Sequence, residues 1–405
     1  MPSWNIIEGS LATPKGFRAA AAAAGIKKAP GVLDLALIVC DVPGASAAGV
    51  FTTNRAAAAP VLLCRQNLKK NRGRARAIIA NSGNANACTG HAGQVVAEQT
   101  GKAVARLLGV RPHEVLVSST GVIGTPLNLD LILKQLPTLK EILSAESAPE
   151  VPRALMTTDS FPKSIVLQSK IDGKTVTLAG VAKGAGMIHP NMATMLAYIT
   201  TDAAVAPAVL QRMLRAAVDA SFNRITVDGD TSTNDTAMVL ASGQSGAVIR
   251  TGTPAAKKFL QGLTEVCQTL AQMIVKDGEG ATKIARIDVR GGGSASDAER
   301  VARAVANSPL VKTALAGGDP NWGRIVCAAG YSGAAIDASK VDVRVNGLYL
   351  CRHGVHAGFD EAAAKMEFDN SELVIRIDLH HGNGSASVWT CDLTHDYIRI
   401  NAARS

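Results

Sequence analysis

A hydroxyl residue at the start of an apolar run is the first candidate for chemistry in this sequence. Thr194 follows Ala193 where a loop rich in glycine, proline and asparagine, residues 183–193, meets the apolar run 194–200. The loop composition resists regular structure, whereas the β-branched and aromatic residues of the run predict a buried strand. A small residue followed by a hydroxyl at such a junction suits a peptide bond that cleaves itself.

Self-cleavage would change the chemistry of Thr194. Its hydroxyl would attack the Ala193 carbonyl, and water would hydrolyse the resulting ester. Thr194 would then carry a nucleophile and a free α-amino group, whose pKa of roughly 7.7–8.0 suits a general base near neutral pH. A threonine hydroxyl paired with an N-terminal amine is a known way to activate a weak nucleophile. The alternative is that Thr194 merely opens a core strand, which is the commoner role of a lone threonine.

A second candidate is the segment Ser-Ser-Thr-Gly-Val-Ile-Gly at residues 118–124, which we interpret as a glycine turn after a strand. Such a turn could present the Thr120 hydroxyl and the Gly121 amide to one point, as an acyl-transfer enzyme requires for its oxyanion. Considered alone, the segment could equally be a plain loop or a weak phosphate cradle. It lacks the G-x-x-x-x-G-K-[ST] spacing of a nucleotide-binding loop.

Composition narrows the class of protein. The 405 residues are 47% hydrophobic and 19% charged, which predicts a folded chain of two or three domains. Aromatic residues make up only 3%, and the abundant alanine and glycine favour closely packed layers, as in an α/β sandwich. Seven widely spaced cysteines without a C-x-x-C pair indicate reduced thiols rather than disulfides or a zinc site.

The net charge and the hydropathy of the sequence indicate which partners and which location to expect. The net charge is +9, but the basic residues cluster only at 69–76 and have no aromatic residues among them, so we expect no nucleic-acid partner. A basic balance would favour acidic substrates. No run of 18 apolar residues occurs, so we expect no membrane span and a cytoplasmic enzyme.

Periodicity and turn signals predict an α/β chain with a boundary near residue 284. We expect a larger α/β region, 1–283, and a smaller α/β domain, 284–405, with a flexible joint at Gly291–Ser294 and a helix after it capped by Ser296 or Asp297. Asp172-Gly173 predicts a hairpin between strands 163–171 and 176–181. The other predicted strands are 33–39, 48–52, 61–64, 77–80, 284–289, 341–345 and 372–379. The other predicted helices are 94–108, 130–143, 207–218 and 255–276, and a polar loop is predicted over 81–90.

The segment from Lys183 to Met195, Lys-Gly-Ala-Gly-Met-Ile-His-Pro-Asn-Met-Ala-Thr-Met, resembles the self-cleavage segment of the ornithine acetyltransferase (glutamate N-acetyltransferase) family of arginine biosynthesis. The resemblance covers nearly the full chain. It implies a layered α/β sandwich core of the type shared with self-cleaving aminopeptidases. It also implies cleavage between Ala193 and Thr194 into an α chain, 1–193, and a β chain, 194–405, and a dimer of such pairs.

The resemblance assigns roles to residues in the first half of the chain. It implies that Thr120 and Gly121 stabilise the oxyanion. Thr157, in the segment Met-Thr-Thr-Asp-Ser at 156–160, would contact substrate. Lys183 could hold a substrate carboxylate, although a lone lysine is usually a solvated surface group.

The resemblance assigns the remaining substrate contacts to the second half. Glu279, between two glycines in Asp-Gly-Glu-Gly at 277–280, could pair with the ammonium group of ornithine. In the tail, Asn401 and the terminal Ser405 correspond to family residues that reach the site. Two further polar segments, 227–236 and 317–324, also match the family, and we interpret them as site walls or folding elements.

The implied function is a two-step acetyl transfer. Thr194 would take the acetyl group from N2-acetylornithine and pass it to glutamate, with ping-pong kinetics and without a metal or redox cofactor. Some relatives also use acetyl-CoA as a donor, and no residue here decides that question. One rival is an N-terminal-nucleophile aminopeptidase, which passes the acyl group to water. The other is an uncleaved, non-enzymatic binding protein on the same scaffold.

Overall fold

The computed structural model describes residues 4–189 and 195–403, and these fall into two compact units. The described part of the first unit is 4–184, 195–223 and 230–274, and that of the second is 185–189, 224–229 and 275–403. Two short segments from earlier in the chain, 185–189 and 224–229, thus belong to the same unit as the C-terminal residues. The domain division at residue 284 and the two processed chains stay predictions.

The first unit contains two main sheets. One has the strand order β1-β7-β8-β9-β11-β4 and the other β2-β3-β5-β6, while β10 and β12 form a short parallel pair. These strands are β1 (Asn5–Ile6), β2 (Phe17–Ala22), β3 (Leu35–Cys40), β4 (Ser46–Phe51), β5 (Ala77–Asn84), β6 (Val115–Val122), β7 (Lys163–Ile171), β8 (Lys174–Lys183), β9 (Leu196–Thr201), β10 (Ala204–Val205), β11 (Thr236–Ala241) and β12 (Val248–Ile249).

Helices complete the layers of the first unit. They are α1 (Ala59–Lys70), α2 (Gly90–Leu108), α3 (Leu129–Glu141), α4 (Val151–Leu155), α5 (Pro207–Asp219) and α6 (Pro254–Lys276). Alternate residues of the two main sheets, such as Ile38 and Tyr198, share one buried core, so the sheets pack face to face. The opposite face of the four-stranded sheet packs on α2 and α3. A Cβ at Gly180 in β8 would lie 2.6 Å from Val266 of α6, so this helix lies close against the six-stranded sheet.

Most predicted elements of the first unit are confirmed. Asp172 and Gly173 have φ of +49° and +77°, the values that a two-residue hairpin of this kind needs, and they join β7 to β8. Helix α2 ends at Gly109 in the left-handed conformation. The strand predicted over 61–64 is wrong, because this segment lies in α1. Val61, Cys64 and Leu68 are buried at helical spacing, behind Pro60 in the first turn.

The second unit is a six-stranded sheet with helices packed on it. Its strand order is β16-β15-β14-β17-β13-β18, and residues such as Ile287 and Ile375 share a core with the helices. The strands are β13 (Ile284–Gly292), β14 (Asp342–Val345), β15 (Leu348–Arg352), β16 (Val355–His356), β17 (Glu372–Asp378) and β18 (Gly384–Cys391). The helices are α7 (Ala295–Asn307), α8 (Pro309–Gly317), α9 (Trp322–Gly330), α10 (Glu361–Phe368) and α11 (His395–Ala402). The predicted layered α/β fold is confirmed.

Three local predictions are corrected. The polar loop predicted from residue 81 begins later, because β5 continues to Asn84. The flexible joint at Gly291 begins inside a strand, since β13 runs to Gly292. Helix α7 is capped by Ser294, whose hydroxyl accepts the Asp297 amide, rather than by Ser296 or Asp297.

Within residues 4–189 and 195–403, no helix is both long and apolar enough to cross a membrane.

Candidate active site

The carboxyl ends of the parallel strands β5 and β6 place Thr120 and Gly121. Ser82 pairs with Thr120, and Gly83 pairs with Gly121. The sequence predicts a turn here, but both residues lie within β6 itself. Gly121 has a φ of +134°, and a Cβ on it would lie 2.3 Å from the carbonyl carbon of Gly83. A glycine is therefore required at position 121, where two backbones meet.

Lys183 lies at the end of β8 and contacts Thr120. The Lys183 side chain is buried, and its Nζ donates to the Thr120 hydroxyl oxygen at 3.4 Å. Lys183 also pairs with Leu196, the first residue of β9. The structure thus brings two of the predicted site residues together, from different sheets, beside the start of β9.

A buried carboxylate, Asp159, holds this lysine and the neighbouring chain. Its Oδ1 accepts from Lys163 Nζ and from the Gly184 amide, both at 2.7 Å. Its Oδ2 accepts the Thr157 amide at 3.0 Å and lies 4.0 Å from Lys183 Nζ. Burial alone would raise the pKa of Asp159, but Lys183 and Lys163 outweigh it and lower that pKa to about 2. Thr157, a predicted substrate contact, is thereby fixed next to Lys183.

The ionised Asp159 should make stability depend on acid pH. Because its pKa is depressed from 3.8 to about 2, its contribution is complete above the unfolded value and is lost as the pH falls through about 2. The shift corresponds to roughly 2 kcal/mol. We expect Asp159→Asn to lower Tm at pH 5, and the gap to the wild type to shrink by pH 2. A gap between the two thermal melts that is independent of pH would contradict this assignment.

The start of β9 is held from the other side by the segment before β11. Met195 donates its amide to Asp235 Oδ1 at 3.1 Å, and its carbonyl accepts the Thr236 amide at 3.0 Å. The neighbouring Asn234 donates its side-chain amide to the carbonyls of Ala85 and Ser119, and so ties the end of the four-stranded sheet to β11. Ala193 and Thr194, the predicted cleavage pair, lie outside the residues that the structure describes.

Glu279 and Asn401 come together within the second unit. Asn401 donates its side-chain amide to Glu279 Oε2 at 2.8 Å, and the Glu279 amide donates to the Ala185 carbonyl at 2.9 Å. The Glu279 carboxyl group lies directly over Gly186, where a Cβ would meet it at 2.5 Å. The contact between these two predicted residues joins the tail helix α11 to the turn after α6. Ser405 lies outside the described residues.

Several buried groups around these residues were not predicted from the sequence. Asp159 and Lys163 stand near Thr157 in the sequence, and Asp235 lies in a segment interpreted only as a wall or folding element. In the second unit, Asp228 accepts the successive amides of Met187 and Ile188. In a sequence, an acidic residue among apolar neighbours is the only sign that an aspartate is buried, and that sign is weak.

Within the described residues no group of three or more His, Cys, Asp or Glu side chains is arranged to hold a metal ion.

Comparison with known proteins finds a family model and relatives that carry the same family name. The sequence matches the ArgJ family over residues 18–405. The arginine biosynthesis bifunctional protein ArgJ of Geobacter sulfurreducens is 50% identical over 390 residues, which cover 96% of this chain and 98% of that protein. The protein of the same name from Thermosynechococcus vestitus is 48% identical over 419 residues, with 99% of each chain covered.

Two solved structures are also similar in sequence. The arginine biosynthesis bifunctional protein of Bacillus halodurans is 41% identical with a TM-score of 0.49, over 50% of this chain and 96% of that one. The ornithine acetyltransferase of Mycobacterium tuberculosis, complexed with ornithine, is 41% identical with a TM-score of 0.43, over 48% of this chain and 100% of that one.

The fold is a layered α/β fold with buried polar residues at the ends of its strands. The chain belongs to the ArgJ family, since the family match and the relatives span nearly its whole length. The sequence prediction of an enzyme of arginine biosynthesis, an acetyltransferase rather than an aminopeptidase, is confirmed.

Proposed function

We propose that the chain moves an acetyl group from N2-acetylornithine to glutamate through an ester on Thr194. The observation that carries this proposal is the contact of Thr120 with Lys183 beside Leu196, two residues after Thr194. In this proposal the Thr120 hydroxyl serves the oxyanion, and the position of this hydroxyl and of the Lys183 cation beside the start of β9 supports that role. The ornithine bound to the M. tuberculosis relative supports the same substrate class.

The first step of the proposal is self-cleavage. The Thr194 oxygen bonds to the Ala193 carbonyl carbon, the carbon–nitrogen bond breaks, and the nitrogen takes up the proton that the hydroxyl loses. Water then hydrolyses the ester, which frees the hydroxyl and leaves a carboxylate on Ala193. The two chains would stay together, because β9 pairs with β8 and β11 pairs with β4, across the proposed α and β chains. A dimer of such pairs remains our prediction for the assembly.

The second step is acyl transfer by the new terminus. The Thr194 hydroxyl attacks the acetyl carbonyl while its proton passes to the α-amino group, and the ornithine nitrogen then takes a proton and leaves. Because Lys183 donates to the Thr120 oxygen, the Thr120 proton remains available for the oxyanion, next to the Gly121 amide. The amine of glutamate attacks the acetyl ester in a second half-reaction, which gives N-acetylglutamate.

Substrate recognition in this proposal uses charged groups. Lys183 and Thr157 would bind the substrate carboxylate, and Glu279 would pair with the ammonium group of ornithine. Asn401 would orient the Glu279 carboxylate, to which it donates. Ser405 stays a predicted contact of the tail.

Removal of the negative charge of Glu279 tests the proposed role of this residue in binding the ammonium group of the donor. We expect Glu279→Gln to raise KM for N2-acetylornithine roughly tenfold, since a charge-assisted hydrogen bond contributes about 1.5–3 kcal/mol. Initial rates over a range of donor concentrations measure this. Glu114→Gln is the matched control, because Glu114 is also buried but pairs with Arg111. An unchanged KM in Glu279→Gln, or an equal rise in the control, would contradict the role.

We also propose acetyl-CoA as a second donor, since the curated relatives are called bifunctional. Purified protein is incubated with glutamate plus N2-acetylornithine, and separately with glutamate plus acetyl-CoA, and N-acetylglutamate is measured in each. Product in both mixtures is expected. Product from neither would contradict the proposed function. Release of free acetate from acetylornithine, equally fast with and without glutamate, would instead indicate a hydrolase.

A further inference from the structure

The sheet of the second unit has one face packed on helices and an opposite face that carries arginines. Ile287 of β13 and Ile375 of β17 belong to the core that the sheet shares with the helices. Arg286 and Arg376 are their neighbours in the same strands, and successive side chains of a strand point to opposite faces. Arg344 of β14 lies on the arginine face too, because it pairs directly with Arg376. Three adjacent strands thus place three arginines side by side.

These arginines line an open cavity of about 410 Å³, which we call the arginine cavity. Its volume lies in the range of roughly 300–1,000 Å³ that is usual for small-molecule sites. It is lined by Arg286, Arg344, Asn346, Gly347, Val374 and Arg376. Asn346 and Gly347, with φ of +49° and +102°, form the two-residue turn between β14 and β15. None of these six described residues is acidic, so the charge on the lining is positive.

The protein satisfies the three guanidinium groups only in part. Arg344 Nη2 donates to Asp378 Oδ2 at 2.6 Å. The Nη2 atoms of Arg286 and Arg376 lie 3.0 and 3.9 Å from the same oxygen, Asp288 Oδ2. Within the described part of the chain, the Nε atom of each arginine is shielded from solvent and has no hydrogen-bond partner. Shielded polar groups are normally paired, so the cluster carries more donors than the protein fills.

The arginines are held in place although their charges repel. Arg344 and Arg376 lie directly opposite each other in an antiparallel pair, where like charges destabilise a sheet. The Arg286 guanidinium lies 5.7 Å from the ring centroid of Trp389, and that of Arg344 lies 4.8 Å from the ring centroid of Tyr349. These cation–π contacts orient the guanidinium groups and leave N–H donors for other partners. Donors that are positioned in advance lower the entropic cost of binding a ligand.

The charges around the arginine cavity are positive on balance. Asp288 and Asp378 are the carboxylates that pair with the three arginines. Glu367 adds a third carboxylate, which accepts the side-chain amide of the turn asparagine at 3.0 Å. Arg352 adds a fourth guanidinium group, which lies over the same tyrosine ring as that of Arg344. Four positive charges therefore face three negative ones among these described residues, and a bound anion would offset the excess and the repulsion between opposite arginines.

We propose that the arginine cavity binds a small polyanion, a molecule with two or more phosphate or carboxylate groups. The planar guanidinium fork matches both groups and can bind either through two parallel hydrogen bonds. This site goes beyond the proposed acetyl transfer, because none of the six lining residues has a role in that reaction.

Isothermal titration calorimetry of the whole protein at constant ionic strength tests this site, with pyrophosphate in one arm and citrate in the other. We expect a Kd below about 1 mM for at least one of the two. Tighter binding of pyrophosphate indicates a phosphorylated ligand, and tighter binding of citrate indicates a polycarboxylate. Arg376→Gln should weaken binding by about tenfold or more, because it removes charge-assisted hydrogen bonds. Without ligand, this variant should keep or raise the wild-type Tm, since Arg344 loses the like charge opposite it.

Arg300→Gln is the matched control. Arg300 lies in α7 of the same unit and pairs with Asp297, so its replacement removes an equal charge from outside the cavity. Its Kd should equal that of the wild type. Absence of binding of both anions to the wild type, an unchanged Kd in Arg376→Gln, or an equal loss in Arg300→Gln would overturn the inference.

The oligomeric state separates a ligand site from an interface between copies of the chain. Size-exclusion chromatography should give the same assembly for Arg376→Gln and for the wild type. Dissociation of the variant would assign this face to a second copy and would overturn the inference. All these readouts measure binding and assembly rather than acetyl transfer, so a failure of the proposed function would be seen separately, as wild-type protein without transferase activity.

Discussion

Thr194→Ala is expected to give a single uncleaved chain that has no acetyltransferase activity. Without the hydroxyl no ester with Ala193 can form, so the base and the nucleophile of the proposed mechanism never appear. Loss of a covalent nucleophile lowers kcat by a factor on the order of 10⁴ or more. A denaturing gel should show one band at 41.8 kDa, and N-acetylglutamate formation should fall to background.

Thr200→Val is the matched control for that result. Thr200 lies in the same strand, β9, and its buried hydroxyl donates to the Leu11 carbonyl at 2.8 Å. Its loss should lower Tm but leave cleavage and transfer intact. Cleaved, active Thr194→Ala protein would contradict the mechanism, whatever the control shows.

Thr120→Val is expected to lower kcat by roughly 10²–10³, with a much smaller change in KM, which is the usual effect of removing one oxyanion donor. The substitution keeps the shape of the side chain and removes only the hydroxyl that Lys183 contacts. Steady-state rates with N2-acetylornithine and glutamate measure this loss. The same variant should also cleave itself slowly, because the attack on Ala193 passes through an oxyanion as well.

Two further variants separate chemistry from structure at this position. Thr120→Ser keeps the hydroxyl and should retain most of the activity. Ser118→Ala removes a hydroxyl two residues earlier in β6, on the same side of the strand, and should behave as the wild type does. If the kcat of Thr120→Val lies within threefold of the wild-type value, Thr120 is not part of the oxyanion site.

Local signals predicted much of the fold. The hairpin at Asp172-Gly173 and the end of α2 at Gly109 are confirmed because both depend on backbone conformations that few residues adopt. The short apolar run at 61–64 wrongly predicts a strand, because four residues cannot distinguish a period of 2 from a period of 3.6. Only the burial of Leu68 at the same helix face, seen in the structure, separates the two.

The sequence predicted residues of the candidate site but not the contacts between them. The resemblance pointed to Thr120, Lys183, Glu279 and Asn401, and two contacts now link them in pairs. Asp159 and Asp235 could not be selected, because their contacts with Gly184 and Met195 join segments that are far apart in the sequence, and such contacts leave no mark on sequence spacing. The glycine at 121 acquires its physical reason only from the Gly83 backbone opposite it.

The most direct test is the intact mass and fragmentation of the mature protein after incubation with N2-acetylornithine and no acceptor. The proposed mechanism predicts two chains, of which the second begins Thr-Met-Leu-Ala and carries one acetyl group on the Thr194 oxygen. Addition of glutamate should remove that group. A single chain that starts at the initial methionine or proline, or an acetyl group on any other residue, would contradict it.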